Sequence, residues 1–322
     1  MKTDTPILDL IDDFLINLDV RDNSRKKYHD ALQYFIKYIT INGDAKNITR
    51  KDILNYKRAL LESKKAAMTV DNYLVPVRQF FKHLEETNIT DNIAAGIHVG
   101  KKYLGYRKDY LRPEEVNRLL ASINRTTPAG MRNYAIINLM VRTGMRCIEV
   151  ARLDVKDLNT DNGKWIIHIQ RKGHYEKDSA LGLTLKVVAP IAEYITDQAL
   201  SNDSPMFLNH AMNYHDTRIT TLTISKLIKT QLRAIGIDNP RITAHSLRHT
   251  AAITALNSGA TIYEVQQMLG HRSIETTQIY LRAIEAEKSL EGTAVRLLDG
   301  AYEIRNETGQ KREKEGKNSD NC

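Results

Sequence analysis

The sequence predicts a two-domain, mainly α-helical protein with a small antiparallel β-sheet in its C-terminal domain. Three observations carry that prediction. The chain is 322 residues long, more than the roughly 100–200 residues of one domain. Apolar residues recur at helical spacing through most of it. The β-branched character of a strand is confined to one region, around Trp165–Gln170.

The first hundred residues read as four helices. Thr5 or Asp4 is placed to cap the first, with Ile7, Leu8, Ile11, Phe14 and Leu15 as its apolar stripe. Ser24 precedes a second, carrying Tyr28, Leu32, Phe35 and Tyr38. Thr49-Arg50-Lys51-Asp52 has the form of a cap before Ile53, Tyr56, Leu60 and Leu61. The fourth begins near Thr69, with Tyr73, Val75, Val77, Phe80, Phe81 and Leu84 on its apolar side. These stripes are core rather than a cofactor box. Three glycines and the cations Lys101, Lys102, Arg107 and Lys108 then mark a basic linker. Such a linker is suited to crossing a nucleic-acid backbone, its charges held by phosphates, and the same composition also suits a solvated hinge.

The second domain opens at Leu111-Arg112-Pro113-Glu114-Glu115, where a proline followed by acids signals a helix start. Arg132–Val141 is a strongly apolar helix ended by Gly144. Trp165–Gln170 and Ser179–Leu185 pair as strands around a hairpin loop, Arg171–Asp178. Helices dominate from Leu222 to Ala286, and beyond Tyr302 the polar, charged chain predicts disorder. The expected division is therefore 1–95 helical domain, 96–110 linker, 111–300 second domain and 301–322 tail.

Apolar residues make up 42% and charged residues 27% of the chain, ordinary values for a globular protein. The net charge of +8 suits a polyanionic partner. Two cysteines, Cys147 and Cys322, form neither a disulfide framework nor a zinc site, and point to a reducing cytoplasm. The acidic N-terminus is no signal peptide, and the absence of an apolar run of about 18 residues speaks against a membrane partner.

The chemistry concentrates in Ala244-His245-Ser246-Leu247-Arg248-His249, followed by Leu269-Gly270-His271 and Tyr280. On a helix His245, Arg248 and His249 stand at i, i+3 and i+4 and share a face. Burying such a face is costly unless it meets an anion, and the planar fork of arginine matches phosphate. A phenol with pKa about 10 is a poor nucleophile at neutral pH and needs a base or a strongly cationic site. His168, His174, His210 and His215 belong to no motif.

Together with Thr143-Gly144-Met145-Arg146-Cys147-Ile148-Glu149-Val150 and the Arg171-Lys172-Gly173 loop, these segments resemble the tyrosine recombinase (phage integrase) family, in its simple Xer-like two-domain form. The resemblance implies an all-helical N-terminal core-binding domain and a tyrosine-recombinase catalytic domain, without an additional amino-terminal arm-binding domain. It implies Tyr280 as the nucleophile that forms a 3′-phosphotyrosine bond. Arg146 and Arg248 match the arginines that hold the non-bridging oxygens, and Lys172 the lysine that protonates the leaving 5′-oxygen. His245 and His271 match the family histidines, His249 has a supporting role, and Glu149, one turn from Arg146, orients it. Lys177 is a competing loop cation. No metal or other cofactor is implied. The expected partners are double-stranded DNA with specific core sites, other copies of the chain in a homo-tetramer on DNA, and no membrane, with accessory proteins left open. The expected function is site-specific recombination through a Holliday junction, with a type IB topoisomerase-like relaxation or a non-catalytic DNA-binding regulator as alternatives. Leu290, Val295, Leu297 and Leu298 are the apolar residues of a terminal helix suited to docking on a neighbouring protomer.

Overall fold

The structure is a computed structural model and describes residues 5–100, 109–210, 217–290 and 292–301. The chain divides into two compact units, 1–104 and 105–322.

The first unit has four helices, α1 (Ile7–Asn17), α2 (Asp22–Asn42), α3 (Arg50–Glu62) and α4 (Ala67–Glu86). Helix α3 starts as its sequence predicts, with the Thr49 amide and hydroxyl donating to Asp52 Oδ2 at 2.8 and 2.6 Å. The other starts are shifted. Pro6, not Thr5, holds the cap position of α1, and Asp4 lies outside the described residues. Ser24 falls within the first turn of α2, and α4 begins two residues before Thr69. Leu8 is 47% exposed while Leu10 is buried. Positions 7, 10, 11, 14 and 15 form one stripe at 3.6-residue periodicity, and position 8 lies at its edge beside 15, where packing leaves it uncovered. The core is largely aromatic: Phe35 meets Tyr56 edge-on at 5.0 Å, and Phe14 meets Phe80 at 5.8 Å. Arg50 donates to the Ile93 and Ala95 carbonyls at 3.0 and 2.7 Å, and Arg78 to Ile97 at 2.8 Å, which pins the segment after α4 back on the bundle.

The second unit begins with α5 (Pro113–Ala121), α6 (Pro128–Thr143) and the short α7 (Cys147–Ala151). An antiparallel sheet follows in the order β1 (Leu158–Asp161), β2 (Lys164–Ile169) and β3 (Ser179–Leu183). Next come α8 (Leu185–Asp197), a two-stranded ribbon of β4 (Leu208–Asn209) and β5 (Thr217–Arg218), and then α9 (Thr221–Ala234). The unit closes with α10 (Ala244–Asn257), α11 (Ile262–Leu269), α12 (Glu275–Leu290) and α13 (Thr293–Ala301). Helix α6 starts four residues earlier than its apolar run, because Thr127 Oγ1 accepts from the Gly130 amide at 3.1 Å. It ends where expected, at Gly144, in a left-handed conformation. The strand expected at Ser179–Leu185 stops at Leu183, and Leu185 opens α8 instead. Strand β1, helix α8 and the ribbon went unpredicted: β1 is short and mostly exposed, and α8 carries an internal Pro190.

Helix α10 is buried nearly all round and packs against α6, α9, α11 and α12. It is the axis on which the chemistry-bearing residues converge. Among the described residues no helix is long and apolar enough to cross a membrane. Lys101, Lys102, Arg107 and Lys108, the chain beyond residue 301 and the side chain of Leu290 lie outside the described residues.

Candidate active site

Three chain turns meet around α10. The first is the end of α6, where Gly144 has φ +65° and an added Cβ would lie 2.4 Å from Leu269 Cδ2. That glycine lets the chain turn tightly into Arg146, whose amide and guanidinium both bind Glu149, Oε2 at 2.8 Å and Oε1 at 2.8 Å. Glu149 is fully buried. A carboxylate in that setting is sustained by the cations around it.

The second element is α10 itself. Arg248 is only 1% exposed. It donates through Nη1 to the Gly144 carbonyl at 2.8 Å and through Nη2 to Leu269 at 2.7 Å. One guanidinium thus clips the end of α6 to the end of α11. Burial is the main reason its pKa falls to about 10, with the nearby Arg146 charge adding to it. It therefore remains charged at neutral pH. His245 is exposed, His249 is buried, and their rings meet edge-on at 4.6 Å. The shared face read from the sequence exists, but its arginine is carried by backbone carbonyls as well as by any anion that binds there.

The third element is the turn from α11 into α12. Gly270 caps α11 with φ +64°. His271 Nδ1 lies 2.9 Å from the Thr277 hydroxyl. Its ring is parallel to that of Tyr280, with centroids 6.3 Å apart and planes 11° apart. The His249 ring is 5.4 Å from Tyr280 on a tilted approach. Tyr280 itself is 1% exposed. Burial raises the pKa of its phenol, while the charge and hydrogen bond of Arg248 and the charge of Arg146 act to lower it. Burial also lowers the His271 pKa to about 4, helped by Arg248, Arg146 and Arg171, so the imidazole is neutral at physiological pH.

Arg146, Glu149, Arg248, His249, His271 and Tyr280 therefore share one cluster, with His245 at its exposed edge. Lys172 stands apart. It is exposed on the β2–β3 hairpin and makes no hydrogen bond or ion pair among the described residues. Its competitor Lys177 is engaged, pairing with Asp154 at 2.6 Å and with Asp157. A lysine so held is less able to reach a new partner than the exposed Lys172. His210 lies elsewhere, 3.0 Å from the Tyr194 hydroxyl.

Two residues of the cluster carried no assignment from the sequence. Thr277 is fully buried and holds His271; its place three residues before Tyr280, on the same helix face, was the available signal. Arg171 is 5% exposed and reaches Glu149 and the α11 carbonyls. Ile167 and Ile169 are buried with it, and that period-2 alternation along β2 extends inward-facing positions to Arg171.

Fold and cluster define a class: a helical unit followed by a mainly helical unit that gathers three arginines and three histidines around a buried tyrosine. The phage integrase family matches residues 109–287, and the N-terminal SAM-like domain of phage integrases matches residues 11–88. The tyrosine recombinase XerD of Listeria monocytogenes is 31% identical over 282 residues, covering 84% of this chain and 93% of that protein. A tyrosine recombinase XerC of Herpetosiphon aurantiacus is 29% identical over 271 residues, covering 80% and 84%. The chain belongs to the phage integrase family of tyrosine recombinases. Solved structures agree on the fold. The XerH recombinase in a post-cleavage complex with a palindromic difH substrate superposes with a TM-score of 0.66 at 22% identity, covering 83% of this chain and 80% of that one. A lambda integrase dimer bound to a COC′ core site gives 0.65 at 16% identity, covering 96% and 98%.

Proposed function

We propose that this protein is a site-specific DNA recombinase that cleaves and rejoins duplex DNA through a phosphotyrosine intermediate. The observation that carries the proposal is Tyr280, buried against the charged Arg248 and parallel to a neutral His271. The Tyr280 oxygen attacks the scissile phosphorus, a P–O(Tyr) bond forms at the 3′ side, and the bond from phosphorus to the 5′-oxygen breaks. Negative charge builds on the non-bridging oxygens, where fixed cations act best because they need no reorganisation. Arg248 has donors to spare for this, since two carbonyls take only part of its five N–H groups. Arg146, oriented by Glu149, supplies the second fork. Lys172 gives its proton to the departing 5′-oxygen, and its exposed position on a hairpin suits that reach. The phenol proton leaves Tyr280 as the bond forms, and His249 and His271 are the imidazoles whose rings neighbour the phenol. The phosphotyrosine ester keeps the energy of the broken bond, so a 5′-hydroxyl from another strand reverses the step without ATP.

We further propose that the partner is duplex DNA bearing paired core sites and that the active assembly is a tetramer. The exposed Val295, Leu297 and Leu298 on α13, at 61%, 72% and 51%, support docking of that helix on a second copy. The setting proposed is the cytoplasm.

The test uses nicked duplexes selected from a random pool by binding to the protein. Wild-type protein is expected to yield an SDS-resistant covalent adduct, and Tyr280→Phe to bind equally and yield none. An adduct at wild-type yield from the phenylalanine variant would refute the assignment. Mixing two differently labelled target duplexes separates strand exchange from simple relaxation, which leaves no recombinant product.

A further inference from the structure

Arg171 is the root of the hairpin that carries Lys172. It follows Ile169, the last residue of β2, by two positions, and immediately precedes the lysine. Its side chain turns inward while that of Lys172 is exposed. The guanidinium donates to the Met268 carbonyl at 3.2 Å and to Leu269 at 3.4 Å, and lies 3.7 Å from Glu149 Oε2. The approach is close: a Cβ on Gly270 would sit 2.7 Å from Arg171 Nε. An inward arginine at the foot of a surface hairpin costs desolvation, and here it joins three parts of the proposed centre.

Resting on the recombinase reading above, we propose that Arg171 is a positioning residue that sets where Lys172 stands when it protonates the leaving 5′-oxygen. Redundancy decides which of the three attachments depends on it. Glu149 keeps Arg146 at 2.8 Å without Arg171. The Leu269 carbonyl keeps Arg248 at 2.7 Å. At the near end of the hairpin Arg171 is the buried tether to the α11 carbonyls, while the exposed loop is touched by Arg272, 3.5 Å from His174 Nε2. Gln170 binds the carbonyls of His174 and Tyr175, which lie in the loop itself, and Lys177 secures the far end to Asp154 and Asp157. Loss of Arg171 therefore falls on the lysine, not on the arginines or the tyrosine.

The experiment exploits the leaving group. With an oxygen at the 5′ bridge, departure needs a proton. With sulfur there it does not, because a thiol with pKa about 8.5 leaves as the thiolate. Wild type, Arg171→Met, Lys172→Ala and Arg171→Lys are compared in single-turnover adduct formation at saturating nicked duplex, with melting temperature and DNA affinity measured alongside. A positioned general acid contributes roughly 10²–10⁴-fold, so Lys172→Ala is expected to lose about that on the oxygen substrate. Arg171→Met is expected to slow by roughly ten- to a hundred-fold on oxygen, within that range or below it. On the sulfur substrate it should come within about threefold of wild type, leaving little of the general-acid contribution to lose. Should the methionine variant fail to melt cooperatively, Arg171→Lys, which keeps the charge but not the fork, carries the same sulfur-reversible slowing. A wild-type rate on oxygen, or an equal defect on both substrates, overturns the proposal. Absence of an adduct from wild type on either substrate instead removes the recombinase reading, and this proposal with it.

Discussion

Replacing Arg248 by methionine separates what the residue does for the fold from what it does for the chemistry. Its two hydrogen bonds, to Gly144 and Leu269 at 2.8 and 2.7 Å, come from a charged donor. Such bonds are worth about 1.5–3 kcal/mol each, or about 3–6 kcal/mol together. Against them stands the cost of burying the guanidinium. The fall of its pKa from the ordinary guanidinium range to about 10, at about 1.4 kcal/mol per unit, corresponds to about 3 kcal/mol. Methionine fills much of the space of the stem and removes that cost with the bonds. The net loss should be about 0–3 kcal/mol, or a melting temperature lower by no more than roughly 10 °C for a unit of this size. The catalytic loss should be larger. A missing donor to a developing oxyanion costs about 10²–10³-fold, so single-turnover adduct formation should fall by at least about a hundredfold with DNA affinity retained. A drop smaller than about tenfold would make Arg248 a structural clip rather than a phosphate ligand. A collapse of the melting transition would show that the clip outweighs the relief of burial and would refute the expected balance.

Two further outcomes follow from the same geometry. His271 has its pKa lowered from 6.5 to about 4, so between those values the unfolded chain binds a proton that the folded chain does not. Stability from this group is complete above about pH 6.5 and is lost as the pH falls toward 4, at up to about 1.4 kcal/mol per unit. Denaturant midpoints at pH 7 and 5 should therefore fall further for wild type than for His271→Gln, and parallel slopes would refute the assignment. Gly144→Ala should destabilise by roughly 2–3 kcal/mol, combining the left-handed backbone penalty with a Cβ 2.4 Å from Leu269 Cδ2. A melting temperature within about 2 °C of wild type would contradict it.

The helices of the first unit and the residues of the site were legible because each leaves a local signature. The capping box at Thr49 and Asp52, the glycine stop at Gly144 and the spacing of His245, Arg248 and His249 are properties of a few consecutive residues. What escaped depends on partners remote in sequence. Nothing near Arg248 announces that its guanidinium spans from Gly144 to Leu269. Arg171 looked like one more loop cation because its carbonyl acceptors lie 97 and 98 positions away. Leu8 and Leu10 are equally apolar, and only the packing of α1 against its neighbours selects the second. Strand β1 and the ribbon are too short and polar to stand out without the strands they pair with.

The rings of His245, His249, Tyr280 and His271 follow one another at 4.6, 5.4 and 6.3 Å, forming a column with one end at the surface and the other against Thr277. Tyr280 occupies the interior of that column rather than its tip. An aromatic ring gripped on two sides moves with the backbone that bears it. If Tyr280 is the proposed nucleophile, its route to a phosphate runs through a displacement of α12, to which Tyr110 is fastened through Glu287 at 2.5 Å. On the proposed reading, a buried nucleophile couples attack to the position of the helix that bears it.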